Sequence, residues 1–265
     1  VPGPSHHVVS ADGTAIALER VTDGARPLVT FPGATAPRGI WGPTAAGLDG
    51  RFAVWLADRR GKGDSGDTEP YSFEREYEDV RTVAAWFGGE AVVAAHSSGA
   101  VCVLGAAASG ELPAAGLVLY EPPWPLPGRA DDTETLDAMD ARLAAGDPEG
   151  ALEIGMLRLV QAPPAAVEGM KRAPSWPQRV AAVHTWTREG RELVRMPEGT
   201  DALRGVGLPT VMLLGEQSAE HLHASTRAVA DALTDAVVVD LPGQAHAALM
   251  TAPDLVAAAI LRHAG

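Results

Sequence analysis

The chain holds 265 residues, 46% of them hydrophobic, which suits a soluble globule with one large core or a core carrying an inserted subdomain. Its 34 acidic against 21 basic side chains give a formal net charge of -13, a balance that argues against holding nucleic acid or an anionic membrane by bulk electrostatics. The one cysteine, Cys102, rules out an intramolecular disulfide and a cysteine-rich zinc site, and its apolar setting reads as a buried structural thiol.

In chain order, residues 6 to 10 and 14 to 20 alternate around Asp12-Gly13 and predict a hairpin. Apolar runs at Pro27 to Phe31 and Phe52 to Ala57 predict strands, with a short helix over Trp41 to Leu48 between them. A helix is expected over Glu74 to Phe87, a buried strand over Ala91 to Ala95 and a helix over Ala100 to Ser109. Strands follow at Leu117 to Tyr120, Pro209 to Leu214 and Ala236 to Leu241, with helices at Ala224 to Leu233 and Asp254 to His263. Strands buried on both faces and separated by helices imply an α/β fold with a mostly parallel sheet. Active sites in such sheets lie beyond the carboxyl ends of the strands.

No strand pattern occurs between Glu121 and Val206, where Pro-rich turns bracket helical stretches near 132 to 145, 149 to 160 and 176 to 195. The expected organisation is a core of residues 1–121 and 206–265 with a helical cap of residues 122–205. Trp124, Trp176 and Trp186 lie in that insert, as do Met139, Met156, Met170 and Met196, an adaptable apolar lining for a pocket. No apolar run reaches transmembrane length, and the N-terminus lacks the charged-then-apolar pattern of a signal peptide. A cytoplasmic location is expected; because the chain opens on Val1 rather than methionine, a preceding targeting segment stays open.

Loops at strand ends are expected to carry the chemistry. In Ala95-His96-Ser97-Ser98-Gly99 a serine stands between small residues where a strand meets a helix, the pattern of a nucleophile elbow. Centring the pattern on Ser98 would put His96 at a small position, so Ser97 is the expected nucleophile; read alone, it is also an ordinary helix N-cap. After the first core strand comes Phe31-Pro32-Gly33-Ala34-Thr35, where the amides of Ala34 and Ser98 could form an oxyanion hole. The turn Asp58-Arg59-Arg60-Gly61-Lys62-Gly63-Asp64-Ser65 reads as structural, with Asp58 and Arg60 as a buried ion pair. His246, just past the last strand, is placed where a general base is wanted. A carboxylate for its other nitrogen could come from Glu121 or from Glu216 and Glu220.

In this order the loops resemble the α/β-hydrolase family over nearly the whole chain. The combination of Asp58-Arg59-Arg60-Gly61, His96-Ser97-Ser98-Gly99-Ala100 and Tyr120-Glu121-Pro122-Pro123 is similar to bacterial pimeloyl-ester-carboxylesterase-like hydrolases. The resemblance implies a serine-histidine-acid triad, a backbone oxyanion hole, no metal and no organic cofactor. Two positions depart from the family: Pro32 stands where a histidine often precedes the glycine, and Ser218 stands where the acid is usually Asp. Some members draw the acid from the preceding strand's end, where this chain has Glu121.

The expected activity is that of a serine hydrolase cleaving an ester, thioester or related acyl bond through an acyl-Ser97 intermediate. Alternatives are a non-hydrolytic enzyme of the same fold, performing acyl transfer, cyclisation or elimination, and a non-catalytic small-molecule binder. Trp124 and Pro32 are expected to line the pocket, and Trp124 to face the cavity over Ser97. The expected partner is a hydrophobic acyl compound, with no nucleic acid and no membrane, and the chain is expected to be a monomer or homodimer.

Overall fold

The computed structural model describes residues 5–129 and 131–265. Eight strands form one sheet: β1 (Ser5–Val9), β2 (Ala15–Arg20), β3 (Arg26–Phe31), β4 (Phe52–Ala57), β5 (Val92–His96), β6 (Gly116–Tyr120), β7 (Thr210–Gly215) and β8 (Ala236–Leu241). Their order is β1-β2-β4-β3-β5-β6-β7-β8. β1 and β2 pair antiparallel, as does β2 with β4, and every later pairing is parallel. Every residue of β5, β6 and β7 is buried, the consequence of apolar side chains on both faces with helices covering each.

The helices of the core are α1 (Gly42–Ala46), α2 (Phe73–Trp86), α3 (Ser98–Ala108), α8 (Glu220–Ala232), α9 (Ala248–Thr251) and α10 (Pro253–His263). One face of the sheet packs Val29, Val93, Leu117 and Met212 against α2, α3 and α8; the other packs Leu28, Val54, Val118 and Leu213 against α1 and α10. α3 is buried from Gly99 to Ala106, and its small residues are required by contact: a Cβ on Gly105 would lie 2.1 Å from the Tyr77 ring.

Between β6 and β7 run α4 (Thr133–Ala144), α5 (Pro148–Arg158), α6 (Pro164–Lys171) and α7 (Trp176–Arg195). They share their own apolar cluster, built on Leu136, Met139, Leu152, Met156, Trp176 and Trp186. α6 has no counterpart among the sequence expectations; its short stretch begins after Pro163-Pro164, and proline at a first helical position starts a helix as readily as it marks a turn. α8 begins at Glu220, four residues ahead of the expected start.

The turn after β4 corrects one expectation. Asp58 and Arg60 are both buried but do not pair with each other. Asp58 binds Arg38 and accepts from the amide of Asp64 at 2.9 Å, whereas Arg60 is bidentate to Asp79 at 2.7 and 2.8 Å and reaches Asp12 at 3.0 Å. Gly63 sits at φ 54 with Asp58 so close that a Cβ would lie 2.0 Å from its carboxylate, so the chain folds around the aspartate and sends Arg60 the other way. Among the described residues no helix is long and apolar enough to cross a membrane.

Candidate active site

The sheet order places the decisive loops side by side. β3 has β4 on one side and β5 on the other, so the connections leaving its carboxyl end diverge and open a crevice. The loops after β3, β5, β6, β7 and β8 all end at this edge. They border a cavity of about 750 Å³ whose other walls come from α4 to α7 and from α8 and α9.

Ser97 links β5 to α3 at φ 55, ψ -127, a conformation that costs a non-glycine residue on the order of 1–3 kcal/mol and holds only where surroundings impose it. Here the surroundings are tight. A Cβ on Gly99 would lie 2.4 Å from the Pro32 carbonyl oxygen, and one on Gly33 would lie 3.0 Å from the Ser97 Cβ. The Ser97 amide donates to the Tyr120 carbonyl at 2.9 Å, fastening the turn to β6. Neither the amide of Ala34 nor that of Ser98 meets an acceptor among the described residues, and both residues border the cavity. Pro32 was expected in the pocket but does not border it; its ring position is buried and its carbonyl lies under Gly99.

Glu121 is the next residue after β6, and it too is strained, at φ 48. Its side chain is fully buried. Oε2 accepts from Nδ1 of His246 at 2.5 Å, while Oε1 accepts from the Gly215 amide and the Ser218 hydroxyl, each at 2.6 Å. With Nδ1 so engaged, the imidazole keeps Nε2 for other chemistry. Glu216 instead accepts from the Gly243 amide at 2.7 Å, bracing the histidine loop, and neither it nor the exposed Glu220 bonds His246. Tyr120 anchors the same loop by donating to the Ala245 carbonyl and accepting from the Ala248 amide at 3.3 Å.

His246 and Ser97 border the same cavity, and no hydrogen bond joins them. Such contacts often tighten only once substrate is bound. His96 lies beneath, its Nε2 donating to the His246 carbonyl at 3.0 Å. Burial, together with the charges of His246 and Arg179, holds His96 well below the usual imidazole range, so it stays neutral. His221 also borders the cavity; burial and His246 lower it as well.

The insert touches the elbow through Glu189 of α7, which is buried and bonds Lys62 at 2.5 Å, Arg59 at 2.9 Å and the Ser98 hydroxyl at 3.1 Å. Burial works against its charge, but Arg59 and Lys62 prevail and keep its carboxyl below the usual range. Arg59 also bonds Glu76 and reaches the Cys102 sulfur at 3.3 Å, which makes the cysteine part of this buried assembly; burial pushes its thiol up. Trp124 borders the cavity and is held by its indole N-H on the Gly199 carbonyl at 2.9 Å and its amide on Ser225 at 2.8 Å. Sequence reasoning missed Glu189 and Arg179 of α7, since neither belongs to a motif and only folding brings them to the site.

A family profile described as an alpha/beta hydrolase family matches residues 28–259. N-formylmaleamate deformylase of Pseudomonas putida is 34% identical over 124 residues, which is 46% of this chain and 46% of that protein, so the match spans under half the length of the curated relative. An alpha/beta hydrolase from Sphaerobacter thermophilus is 36% identical with a TM-score of 0.85, covering 98% of this chain and 100% of that one. An esterase from Thermogutta terrifontis superposes with a TM-score of 0.78 over 98% of this chain and 97% of its own, at 20% identity, a likeness of fold.

Proposed function

The chain belongs to the alpha/beta hydrolase family, and from that premise we propose that it is a serine hydrolase of the carboxylesterase type, acting on an ester, thioester or related acyl bond of a small, largely hydrophobic molecule. One observation carries the reading: the Glu121 carboxylate, fully buried, lies 2.5 Å from His246 on the wall of a cavity that Ser97 also borders. A carboxylate at Nδ1 fixes the tautomer that leaves Nε2 as a base and stabilises the imidazolium once it forms.

In the proposed reaction the Ser97 hydroxyl attacks the acyl carbon as His246 Nε2 takes its proton. The carbonyl oxygen becomes an oxyanion held by the amides of Ala34 and Ser98. Collapse expels the leaving group, which receives the proton from His246, and leaves an acyl-Ser97 ester. Water then attacks with His246 again as base, releasing the acid and restoring Ser97. The helices of residues 122–205 act as a cap that shields these steps from bulk water.

The partial likeness to a deformylase favours including N-acyl amides among the substrates tried. A carboxylate beside His246 favours hydrolysis over the non-hydrolytic alternative.

A fluorophosphonate probe tests the reading. Peptide mapping should find the adduct on Ser97 and none on Ser98, and Ser97→Ala should abolish labelling. Labelling that persists in Ser97→Ala, or an unreactive wild type, would overturn it.

A further inference from the structure

Arg179 of α7 borders the cavity and is only 6% exposed, yet among the described residues its guanidinium has no salt bridge and no hydrogen bond. This is unusual for so buried a charge, which costs several kcal/mol when left without a counter-ion. The carboxylates that border the cavity are committed elsewhere. Asp132 lies 3.1 Å from Arg129, and Glu189 serves Arg59, Lys62 and Ser98. Glu121, which does not border the cavity, is engaged by His246, Gly215 and Ser218.

Burial alone lowers Arg179, to about 10, so it remains a cation at neutral pH. Arg179 and Ser97 border the same cavity, so a molecule held there can meet both. The same cavity is also lined by the apolar side chains of Met156, Met170 and Trp186.

We propose that Arg179 receives a carboxylate of the substrate, so that the enzyme acts on acyl compounds carrying a carboxylate at the end remote from the scissile bond, such as half-esters or half-amides of dicarboxylic acids. The proposal rests on the serine-hydrolase reading and replaces its largely hydrophobic substrate with one that is charged at the remote end. A planar guanidinium with five donors matches a carboxylate in two parallel hydrogen bonds, and the apolar walls accommodate the carbon chain between the two ends. The counter-ion the fold omits is supplied by the ligand, which explains why a costly buried charge is kept.

The test is calorimetric binding to Ser97→Ala, in which turnover is blocked, of monomethyl succinate, glutarate and adipate against their dimethyl esters. At least one half-ester should bind about tenfold or more tightly than its diester, the value of a charge-assisted hydrogen bond. Adding Arg179→Met should erase that preference, and Arg179→Lys should keep part of it. Equal binding of half-ester and diester, no binding of any half-ester, or a preference that survives Arg179→Met would overturn the proposal. So would an Arg179→Met protein that melts below wild type while Arg179→Lys shows no partial preference, since that assigns the residue a structural role. If fluorophosphonate fails to label Ser97 but the half-ester preference depends on Arg179, the hydrolase reading falls and the carboxylate site stands.

Discussion

The Ser218 hydroxyl donates to Glu121 Oε1 at 2.6 Å, so Ser218 orients the carboxylate that contacts His246. The arrangement brings a carboxylate from the end of β6 to the His246 imidazole. β6 and β7 are paired neighbours, with Tyr120 opposite Leu213, so the residues that follow them share one patch of space. The Gly215 amide completes the cradle, leaving Oε2 for the histidine.

Glu121→Gln should therefore lower kcat by about 10⁴-fold, as removal of the acid does in other triads, because an amide cannot fix the tautomer or stabilise the imidazolium. Ser218→Ala removes one of two hydrogen bonds to Oε1 and should cost about tenfold to a hundredfold. Steady-state rates on a common ester measure both. A Ser218→Ala loss as large as that of Glu121→Gln would contradict the division of labour.

His246→Ala should also reduce kcat by about 10⁴-fold while the protein stays folded. His221→Ala should cost far less, because His221 bonds no acid and faces the cavity from α8. Comparing the two in one assay distinguishes the base from a neighbouring imidazole.

Gly99→Ala would drive a methyl to 2.4 Å from the Pro32 carbonyl, where backbone must move. It should destabilise the fold by about 1–3 kcal/mol and disturb the Ser98 amide one residue earlier. Denaturant unfolding and fluorophosphonate labelling rate should both fall short of wild type.

Glu189→Gln should destabilise the protein by about 3–5 kcal/mol, because Lys62 loses its buried counter-charge and Arg59 one of two. The carboxyl of Glu189 is held below its unfolded value, so its stabilising effect is complete above about pH 4.3 and is lost as pH falls through the lower folded value. The stability gap between wild type and Glu189→Gln should accordingly narrow with acidification. A gap that widens below that pH would refute the assignment.

By itself the sequence determined the alternation of strands and helices, the interruption between β6 and β7, and the elbow at Ser97. Those features rest on hydrophobic periodicity and on small residues at fixed local spacing, which the chain carries within a few residues of each other. His246 was legible because it follows the last strand. The choice among Glu121, Glu216 and Glu220 was not, because all three stand past strand ends, and only the registers of β6 against β7 and of β7 against β8 set which carboxylate meets the imidazole. The partners of Asp58 and Arg60 were equally hidden, since their counter-charges lie 19 to 48 residues away. Tertiary structure alone decided that Glu189 would be neutralised and Arg179 left without a partner among the described residues. Both sit on α7, ten residues apart with similar burial, and what differs is the set of charges that folding brings opposite each.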